Sequence, residues 1–427
     1  MIGQQTASLC LLIVAVIMMW SGREAAQAAP PLEIPLALGG LIDEALARNP
    51  EIQAMHQQWE ASREKVPQAR TLPDPTFGVH LWNFPQDLDV ARSLGRTQNI
   101  ILTLSQRFPF PGKLDLNAEI ASRTAGIREQ AIRAKEREII ARLKQAYYEL
   151  YLAHKEIDVH HEQIDVVQQL FDTATAKYRA GQGTQVDVLK AQVELSDLYQ
   201  RLPVLEQRRE TAVAKVNTIL DRDPRSSLGV PRDPDVTVSE KTSEELEQVA
   251  KAMRPELKVA SVAIERTQQA RAYAERQYYP DFEFAVQRFQ NFQATDGFGA
   301  IGIMSIPFSF WTKGKYDAGV REAKAAEAAA RADLHTWQNL TRFQISELLA
   351  KVRAQQQVVV LYRTTILPQA EQNMDAARAG YRTGRNSFLD FLEAERAWLE
   401  FRLAYYRALA ERENQFAVLE QVVGTFL

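Results

Sequence analysis

A stretch without proline, from about Leu116 to Arg179, places apolar residues at alternating spacings of four and three. This heptad pattern, held for more than five heptads, predicts a coiled-coil helix. At 1.5 Å per residue the helix would be on the order of 95 Å long, which no compact globular core requires. The seam consists of Ile139, Leu143, Ala146, Leu150, Ala153, Ile157, His160, Ile164, Val167, Phe171, Ala174 and Tyr178.

The chain contains an internal duplication. YRAGQGTQVDVLKA at 178–191 returns 203 residues later as YRTGRNSFLDFLEA at 381–394. Flanking segments repeat in the same order, so we expect two structural repeats joined by an irregular linker rich in proline and aspartate. Pro203 and Pro368 predict bends in the long helices. The predicted organisation is 29–220 for the first repeat (helices, β-hairpin 76–108, helical hairpin 115–220), 221–241 for the linker, and 242–427 for the second repeat (helices, β-hairpin 281–308, helical hairpin 315–423).

The first residues have the anatomy of an export signal. An apolar run of about 14 residues, Ala7–Trp20, precedes the small-x-small site at 26–28, which predicts a signal peptide at 1–28. Because no Lys or Arg precedes the run, a helical anchor is the alternative. The sole cysteine, Cys10, lies inside the run, so the mature chain would hold no disulfide or thiolate metal site. No later stretch approaches the length of a transmembrane helix.

Four segments of about 9–12 residues alternate apolar and polar side chains, as membrane-spanning strands do. They are 76–84, 98–108, 281–292 and 297–308, two in each repeat, with aromatic residues near their ends. A sheet in a membrane must close into a barrel, and the smallest barrels have about eight strands. Several protomers would therefore have to share one barrel. An ordinary pair of soluble hairpins is the alternative.

In its ordered duplication the chain resembles the outer-membrane efflux protein (TolC-like) family. The resemblance spans the mature chain and rests on the RNP and RPE phrases near the start of each repeat, the two hairpins, and the repeated YRxGxx(S/T)xxDxL. It implies a mainly α fold with a small β part: a long-helix coiled-coil tunnel plus four strands per protomer, contributing to a shared twelve-stranded trimeric outer-membrane β-barrel. It also implies a homotrimer in the outer membrane of a Gram-negative cell, surrounded by outer-membrane lipid and extending into the periplasm.

The resemblance further implies the exit duct of a tripartite efflux system. Such a duct passively conducts solutes to the exterior, together with a periplasmic adaptor (membrane fusion protein) and an inner-membrane transporter of the RND or ABC type. QRFPFPGKL at 106–114 resembles the heavy-metal (CusC/CzcC-like) subgroup, which would make metal cations the solutes. Efflux of drugs or organic solutes and a type I secretion duct remain open. A periplasmic coiled-coil adaptor or scaffold without a pore would explain the heptads but not the strands.

The repeated phrase predicts a reversal at the far end of each pair of long helices. Gly181 and Gly384 suit the left-handed position after a helix, and Thr184 and Ser387 suit the N-cap of the next one. By the resemblance, these reversals are the turns on which the adaptor docks. The predicted docking turns consist of Gly181, Gly183, Thr184, Gly384, Asn386 and Ser387.

Three residues after the N-caps lie Asp187 and Asp390, at the capping-box position, and capping alone would explain both. The resemblance implies a second role, because Asp390 and Glu393 match acidic rings at the periplasmic entrance and Tyr381 matches a residue that holds it closed. Carboxylates crowded at a constriction attract cations. The family's latching arginine falls at Asn386. The predicted entrance gate consists of Asp390, Glu393, Asp187, Tyr381 and the neighbouring Arg385.

No GxSxG, HExxH or glycine-rich phosphate loop is found in the sequence, so we expect neither catalysis nor a cofactor. A net charge of −3 gives no reason to expect nucleic acid as a partner. His154, His160 and His161 share one predicted helix but provide no i,i+4 pair, so we expect no metal site. His160 lies in the heptad seam and is predicted to make an interhelical hydrogen bond.

Overall fold

The computed structural model describes residues 36–82, 99–234, 241–291, 295–307 and 309–427. The predicted signal peptide, and positions 83–84, 98, 292 and 308 of the predicted strands, lie outside the described residues. The first half contains α1 (Leu38–Arg48), α2 (Pro50–Arg63), α3 (Lys65–Arg70), β1 (Thr76–Trp82), β2 (Asn99–Phe108), α4 (Lys113–Arg179) and α5 (Gln185–Ile219). The second half contains α6 (Ser243–Met253), α7 (Pro255–Arg276), β3 (Phe282–Asn291), β4 (Gly297–Met304), α8 (Lys313–Leu361), a π-helical turn (Tyr362–Ile366), α9 (Leu367–Arg382) and α10 (Phe388–Val423). Each half therefore has short helices, two strands and two long helical arms, as the duplication predicts.

The seam predicted along the first long helix is the buried face of α4. This helix has 67 residues, which corresponds to about 100 Å. Its seam positions from Ile139 to Ala174 are buried, apart from the half-buried Phe171, while Tyr178 near the helix end is exposed. The heptad spacing thus identifies the face that packs against α5 and α10. None of the helices in the described ranges is long and apolar enough to cross a membrane.

The two prolines that predict bends, Pro203 and Pro368, both lie in the long helices, but the backbone around them differs. α5 continues through Pro203 as a single helix. Between α8 and α9 the chain makes a π-helical turn, and Pro368 follows it within the first turn of α9. Proline lacks an N–H group and its ring obstructs a regular turn, so a wider turn just before it removes the clash. On α4, His160 Nε2 donates to the Leu198 carbonyl oxygen of α5 at 2.7 Å, which confirms the predicted interhelical bond.

The four strands form one antiparallel sheet in the order β1-β2-β3-β4. β2 of the first repeat pairs with β3 of the second over ten residues, from Asn99↔Asn291 to Phe108↔Phe282. The two repeats are therefore joined by backbone hydrogen bonds within one protomer. β1 and β4 form the two edges of the sheet.

The register sorts the side chains onto two faces of different chemistry. In one row of the first face, Phe77 pairs with Leu104, Leu104 with Val286, and Val286 with Ala300. The first face is mainly apolar, with Gln106, Arg288 and Gln290 as polar members, and it carries Phe77, Val79, Leu81, Ile100, Leu102, Leu104, Phe108, Phe282, Phe284, Val286, Phe298, Ala300 and Met304. The second face mixes glycine, aliphatic residues and Phe289 with the polar side chains of Thr76, His80, Thr103, Ser105, Arg107, Glu283, Gln287 and Asn291.

The FPFPGK stretch connects the two repeats at the point where strands become helices. The Lys113 side chain is only 4% exposed, and its Nζ donates to Asp281 Oδ1 and to the Tyr279 carbonyl oxygen, both at 2.8 Å. The Phe110 N–H donates to the same Asp281 oxygen at 2.9 Å, and the Phe110 ring stacks on Tyr279 at 4.6 Å. Gly112, with φ 88°, directs the chain into α4. The FPFPGK motif therefore has a structural role, because its contacts join the two repeats. These contacts carry no information about a solute.

The RNP and RPE phrases each place proline at the first position of a helix and use the preceding residue as an anchor. Asn49 accepts from the Glu51 N–H at 2.9 Å and donates to the Ile219 carbonyl oxygen at 2.8 Å. In the second repeat the buried Arg254 donates to Thr341 Oγ1 at 2.9 Å. The repeated phrase therefore fastens the start of each repeat to a long helix of the same repeat.

Candidate functional site

The two helical hairpins each reverse at a glycine with positive φ, 73° at Gly181 and 76° at Gly384. In the first reversal the Gly181 N–H donates to the Tyr178 carbonyl oxygen (3.0 Å) and the Gln182 N–H donates to that of Lys177 (2.8 Å). The same two bonds recur in the second repeat. Together they form a Schellman motif, whose left-handed position favours glycine because any Cβ is strained there. The prediction that both glycines end a helix is confirmed.

The N-caps that follow are similar but not equal. Thr184 accepts a bond from the Asp187 N–H at 3.2 Å, without the return bond. Ser387 accepts from the Asp390 N–H at 3.1 Å, and Asp390 Oδ2 accepts from the Ser387 N–H at 2.8 Å. Only the second repeat thus closes the predicted capping box. The expectation of a full capping role is wrong for the Asp187 side chain, which leaves that carboxylate available for other contacts.

Asp390 is both a cap and an exposed charge. The bonds from the backbone and side chain of Ser387 hold the pKa of the Asp390 carboxyl below its ordinary value, so it stays anionic over the physiological range. Glu393, one helical turn later, is also exposed, and so is Arg385 in the reversal itself. The structure therefore presents two carboxylates at the tip of the second hairpin. The first hairpin has Lys190 where the second has Glu393.

Tyr381 is the centre of the tip packing. It is 6% exposed, its ring lies edge-on to Phe388 at 5.9 Å, and it is stacked with Phe391 at 6.2 Å. Burial raises the pKa of the Tyr381 hydroxyl, and the Asp187 carboxylate raises it further. Asp187 and Tyr381, both predicted as gate residues, thus lie close enough within one protomer for the carboxylate to act on the hydroxyl. The hydroxyl stays protonated and can donate to an anionic acceptor.

Lys177 of the first hairpin holds the second hairpin through Tyr381. The Lys177 ammonium donates to the Tyr381 carbonyl oxygen and lies 4.2 Å from the centre of its ring. Both interactions are charge-assisted, and the ring contact is a cation–π interaction. The sequence reasoning missed this residue. The sequence nevertheless contains a sign of it. Lys177 aligns with Gly380 at the spacing of 203 residues that relates the two repeats, so a large charged residue replaces a glycine next to an otherwise similar phrase.

The duplication has exchanged a large and a small residue across this turn. In the first repeat, a Cβ on Gly183 would lie 3.0 Å from the Lys177 Cβ. In the second, a Cβ on Gly380 would lie 2.5 Å from the side chain of Asn386. Gly183 aligns with Asn386 and Lys177 with Gly380, so each turn pairs one large residue with one glycine. Gly183 and Asn386, predicted as docking residues, thus have a packing role that the sequence alone did not reveal.

A buried carboxyl lies two helical turns above the second reversal. Glu395 is 0% exposed, and neither carboxyl oxygen has a hydrogen-bond partner. Burial raises its pKa to about 8, with a further rise from the Glu194 carboxylate that Arg396 partly opposes. Glu194 itself accepts from Arg396 through both of its oxygens, at 3.1 Å for the Nε bond. Glu395 is therefore largely protonated at neutral pH. The sequence signal was its place on the apolar face of α10, between Leu392 and Leu399.

Within the described ranges, no group of three or more His, Cys, Asp or Glu side chains could hold a metal ion. His160 is engaged with the Leu198 carbonyl oxygen. The carboxylates of the tip, Asp390 and Glu393, are exposed to water and are suited to weak, reversible attraction of cations.

Comparison with known sequences gives matches over most of the chain. A family model described as "Outer membrane efflux protein" matches residues 41–221 and 246–425, one match in each repeat. The chain is 23% identical over 400 residues to the cobalt-zinc-cadmium resistance protein CzcC of Cupriavidus metallidurans, covering 91% of this chain and 90% of that protein.

Comparison with solved structures gives the same fold. The outer-membrane channel OprN superposes with a TM-score of 0.75 at 19% identity, covering 91% of this chain and 89% of OprN. CusC superposes with a TM-score of 0.76 at 17% identity, covering 91% of this chain and 92% of CusC. The outer membrane protein VceC of Vibrio cholerae superposes with a TM-score of 0.74 at 18% identity, covering 91% of this chain and 96% of VceC. The predicted fold class is confirmed.

Proposed function

The chain belongs to the outer membrane efflux protein family, and we propose that it is the exit duct of a tripartite efflux system. In this proposal the duct passively conducts solutes from an inner-membrane transporter and a periplasmic adaptor to the exterior. The observation that carries it is the register of the sheet, which gives four joined strands one apolar face and one face with polar side chains. A spanning strand needs such a division, with lipid on one side and water on the other.

The sheet also supports an assembly of three protomers. Four strands cannot close, and the edge strands β1 and β4 would leave backbone groups unpaired in hydrocarbon. Pairing β4 of one protomer with β1 of the next removes both edges. Three protomers give a twelve-stranded barrel whose long helices continue as a tunnel into the periplasm. A coiled-coil scaffold without a pore would have no use for the exposed apolar face.

The helix reversals lie at the far end of this tunnel and form its periplasmic entrance. Three-fold symmetry would place three copies of Asp390 and Glu393 around the axis as a two-tier acidic ring. Tyr381, Asp187 and Arg385 would hold the entrance closed, with Lys177 fastening the two hairpins of each protomer. An acidic ring concentrates cations at the entrance without binding them tightly enough to slow their passage.

The ring can be tested separately from the cap, because asparagine keeps the oxygen that accepts from the Ser387 N–H and removes only the charge. We expect Asp390→Asn channels in planar bilayers to show lower cation selectivity and weaker block by multivalent cations, with an unchanged trimer. Asp187→Asn, at the aligned position of the first repeat, should have the smaller effect. Unchanged conductance and selectivity in Asp390→Asn would show that this residue only caps α10.

We propose that the adaptor docks on the two reversals. Both reversals are exposed and lie where the helices of an adaptor could meet them. Gly181 and Gly384 are poor positions for a test, since their positive φ strains every replacement. The exposed Gln182 is better: Gln182→Trp should abolish efflux while trimers still reach the outer membrane, whereas Glu206→Trp, far from the tip, should not. Loss of the trimer in Gln182→Trp would indicate a role in folding instead.

For the solute we propose heavy-metal cations. The support is the likeness to the cobalt-zinc-cadmium resistance protein CzcC and the acidic pair at the tip. A strain that lacks the gene should accumulate Co²⁺, Zn²⁺ or Cd²⁺, and the wild-type gene should restore the original level. Accumulation of organic solutes with normal metal levels would assign the duct to drug efflux. Loss of a secreted protein with neither change would assign it to type I secretion.

A further inference from the structure

Glu395 is a buried acid whose two oxygens have no hydrogen-bond partner among the described residues. Its side chain is already 0% exposed within a single protomer, so its burial does not depend on how protomers assemble. An ionised carboxylate in such a place would lose its hydration without a compensating bond. The geometry by itself therefore requires a protonated Glu395 in the folded protein.

The helices around Glu395 face it mainly with apolar residues. One turn earlier on α10, Phe391 and Leu392 belong to an apolar cluster to which α4, α5 and α9 also contribute. The members from those helices include Leu170, Ala174, Ala191, Met374 and Ala377. The charged residues of these helices near this level are the exposed Asp165, Asp172, Lys190, Glu371 and Asp375, with the half-buried Arg378 a turn nearer the tip. Two charged groups act on the Glu395 carboxyl, and these are Glu194 of α5 and Arg396 of α10 itself.

Glu194 and Arg396 connect the two hairpins of the protomer. Arg396 donates to both oxygens of Glu194, with 3.1 Å for the bond from Nε. The Glu194 side chain is only 10% exposed, so this charge-assisted bond between α5 and α10 is well shielded from water. At the spacing of 203 residues Glu395 aligns with Gln192 and Arg396 with Val193. The arrangement therefore belongs to the second hairpin alone.

Ionisation of Glu395 would place two carboxylates beside one guanidinium. The carboxylates would repel each other, and the charge on Glu395 would draw Arg396 away from Glu194. Burial raises the pKa of Glu395 to about 8, so the proton leaves in mildly alkaline medium. The bond between the hairpins is therefore intact below this pH and weakens as the pH rises through it.

We propose that Glu194 and Arg396 form a latch between the two hairpins of a protomer, and that the proton on Glu395 keeps this latch closed. The inference rests on the proposed function, because it requires the tip to be the entrance of a duct. When Glu395 gives its proton to water, the latch loosens and the basal conductance of the closed channel rises. The latch lies about two helical turns above the exposed carboxylates of the tip and acts separately from them.

The experiment records the basal conductance of the full chain in planar bilayers from about pH 6 to about pH 9. The ionised fraction of Glu395 rises from about 10% at about pH 7 to about 90% at about pH 9, and the pH-dependent part of the wild-type conductance should follow it. Glu395→Gln and Glu395→Leu should stay closed throughout, because neither side chain titrates. Glu194→Gln should be leaky at every pH, since it lacks the latch. Glu400→Gln, which changes an exposed carboxylate of the same helix, should follow the wild type.

Infrared spectra of the same trimers report the proton directly. The carbonyl stretch of a protonated carboxyl should disappear near pH 8 in the wild type and be absent from Glu395→Gln. In Glu194→Gln it should disappear at lower pH, because the neighbouring negative charge is gone. If neither Glu395 variant assembles, this titration decides, since a band that Glu194→Gln leaves in place overturns the coupling.

The conductance separates the latch from the duct. Wild-type channels that conduct equally at every pH, or an equal rise in Glu395→Gln, would overturn the latch and leave the proposed function intact. A Glu194→Gln channel as closed as the wild type at about pH 6 would do the same. The absence of any channel in wild-type bilayers would overturn the proposed function and the latch together.

Discussion

Replacing the buried Glu395 with glutamine should make the protein less sensitive to alkaline pH. In the folded protein burial raises the carboxyl pKa to about 8, whereas the ordinary value is 4.5. The folded state therefore holds a proton that the unfolded chain has already lost at neutral pH. The stability contributed by this proton is fully present below pH 4.5 and is lost as the pH rises to about 8. Glutamine has no such proton, so its contribution does not change.

The expected size follows from the two pKa values. At 1.36 kcal/mol for each tenfold change in proton concentration, the loss is about 3 kcal/mol per chain at pH 7 and about 5 kcal/mol above pH 8. For a chain of this length the unfolding entropy is about 0.9 kcal/mol per degree, so 5 kcal/mol lowers the Tm by about 5 °C. Thermal unfolding followed by circular dichroism from about pH 4 to about pH 9 covers the whole window.

The matched control is Glu393→Gln, which alters an exposed carboxylate two residues away and should follow the wild type. Glu395→Leu should be at least as stable as Glu395→Gln, because it removes two oxygens that lack hydrogen-bond partners. A parallel decline of Tm in the wild type and in Glu395→Gln would refute the reasoning. It would mean that Glu395 is ionised in the folded protein and is solvated or paired by some rearrangement of the tip.

Three further predictions concern single contacts. Lys177→Met should loosen the tip by about 1.5–3 kcal/mol, since it removes a charged bond to the Tyr381 carbonyl, and should raise the basal conductance of the closed channel. Gly380→Ala should destabilise the second reversal because its Cβ would clash with Asn386, and adding Asn386→Gly should restore the Tm. Lys113→Met should cost about 1.5–3 kcal/mol by removing the charged bonds of the buried ammonium to Asp281 and to the Tyr279 carbonyl oxygen, and should lower the yield of heat-resistant trimers.

Each of these has a control in the same chain. Lys190→Met removes an exposed lysine of the first tip and should leave the basal conductance unchanged. Gly319→Ala, a helical glycine with open space around it, should stabilise α8 by up to about 1 kcal/mol. Lys315→Met changes an exposed lysine at the other junction and should not affect trimer yield. Equal effects in a variant and its control would show that the contact described for that variant does not matter.

The periodic features of this protein could be predicted from its sequence, because they are statements about which face of a helix or strand is buried. The seam from Ile139 to Ala174 and the alternation along the four strands are both of this kind. Pairing between the repeats could not be predicted, since it depends on the register of β2 against β3. Lys113 illustrates this: its partners Tyr279 and Asp281 lie more than 160 residues away.

The tip shows the same limit at a single site. The glycines and N-caps follow from local backbone chemistry, and the sequence places them correctly. Lys177 and Glu395 depend on which side chains face each other across the bundle. Both residues are unusual in the sequence: Lys177 differs from the aligned Gly380, and Glu395 is an acidic residue on an apolar helix face. Neither feature identifies the side chains or backbone groups that the residue contacts.

The pairing of β2 with β3 also changes how the assembly can form. If each repeat were a separate chain, a barrel of six hairpins would need six molecules to meet in the correct alternating order. Fusion makes every second contact between hairpins intramolecular, at an effective concentration that no dilute membrane could match. Assembly then depends on the third power of chain concentration instead of the sixth. In the proposed trimer, the fused chain would also fix the alternation of the two kinds of tip around the axis.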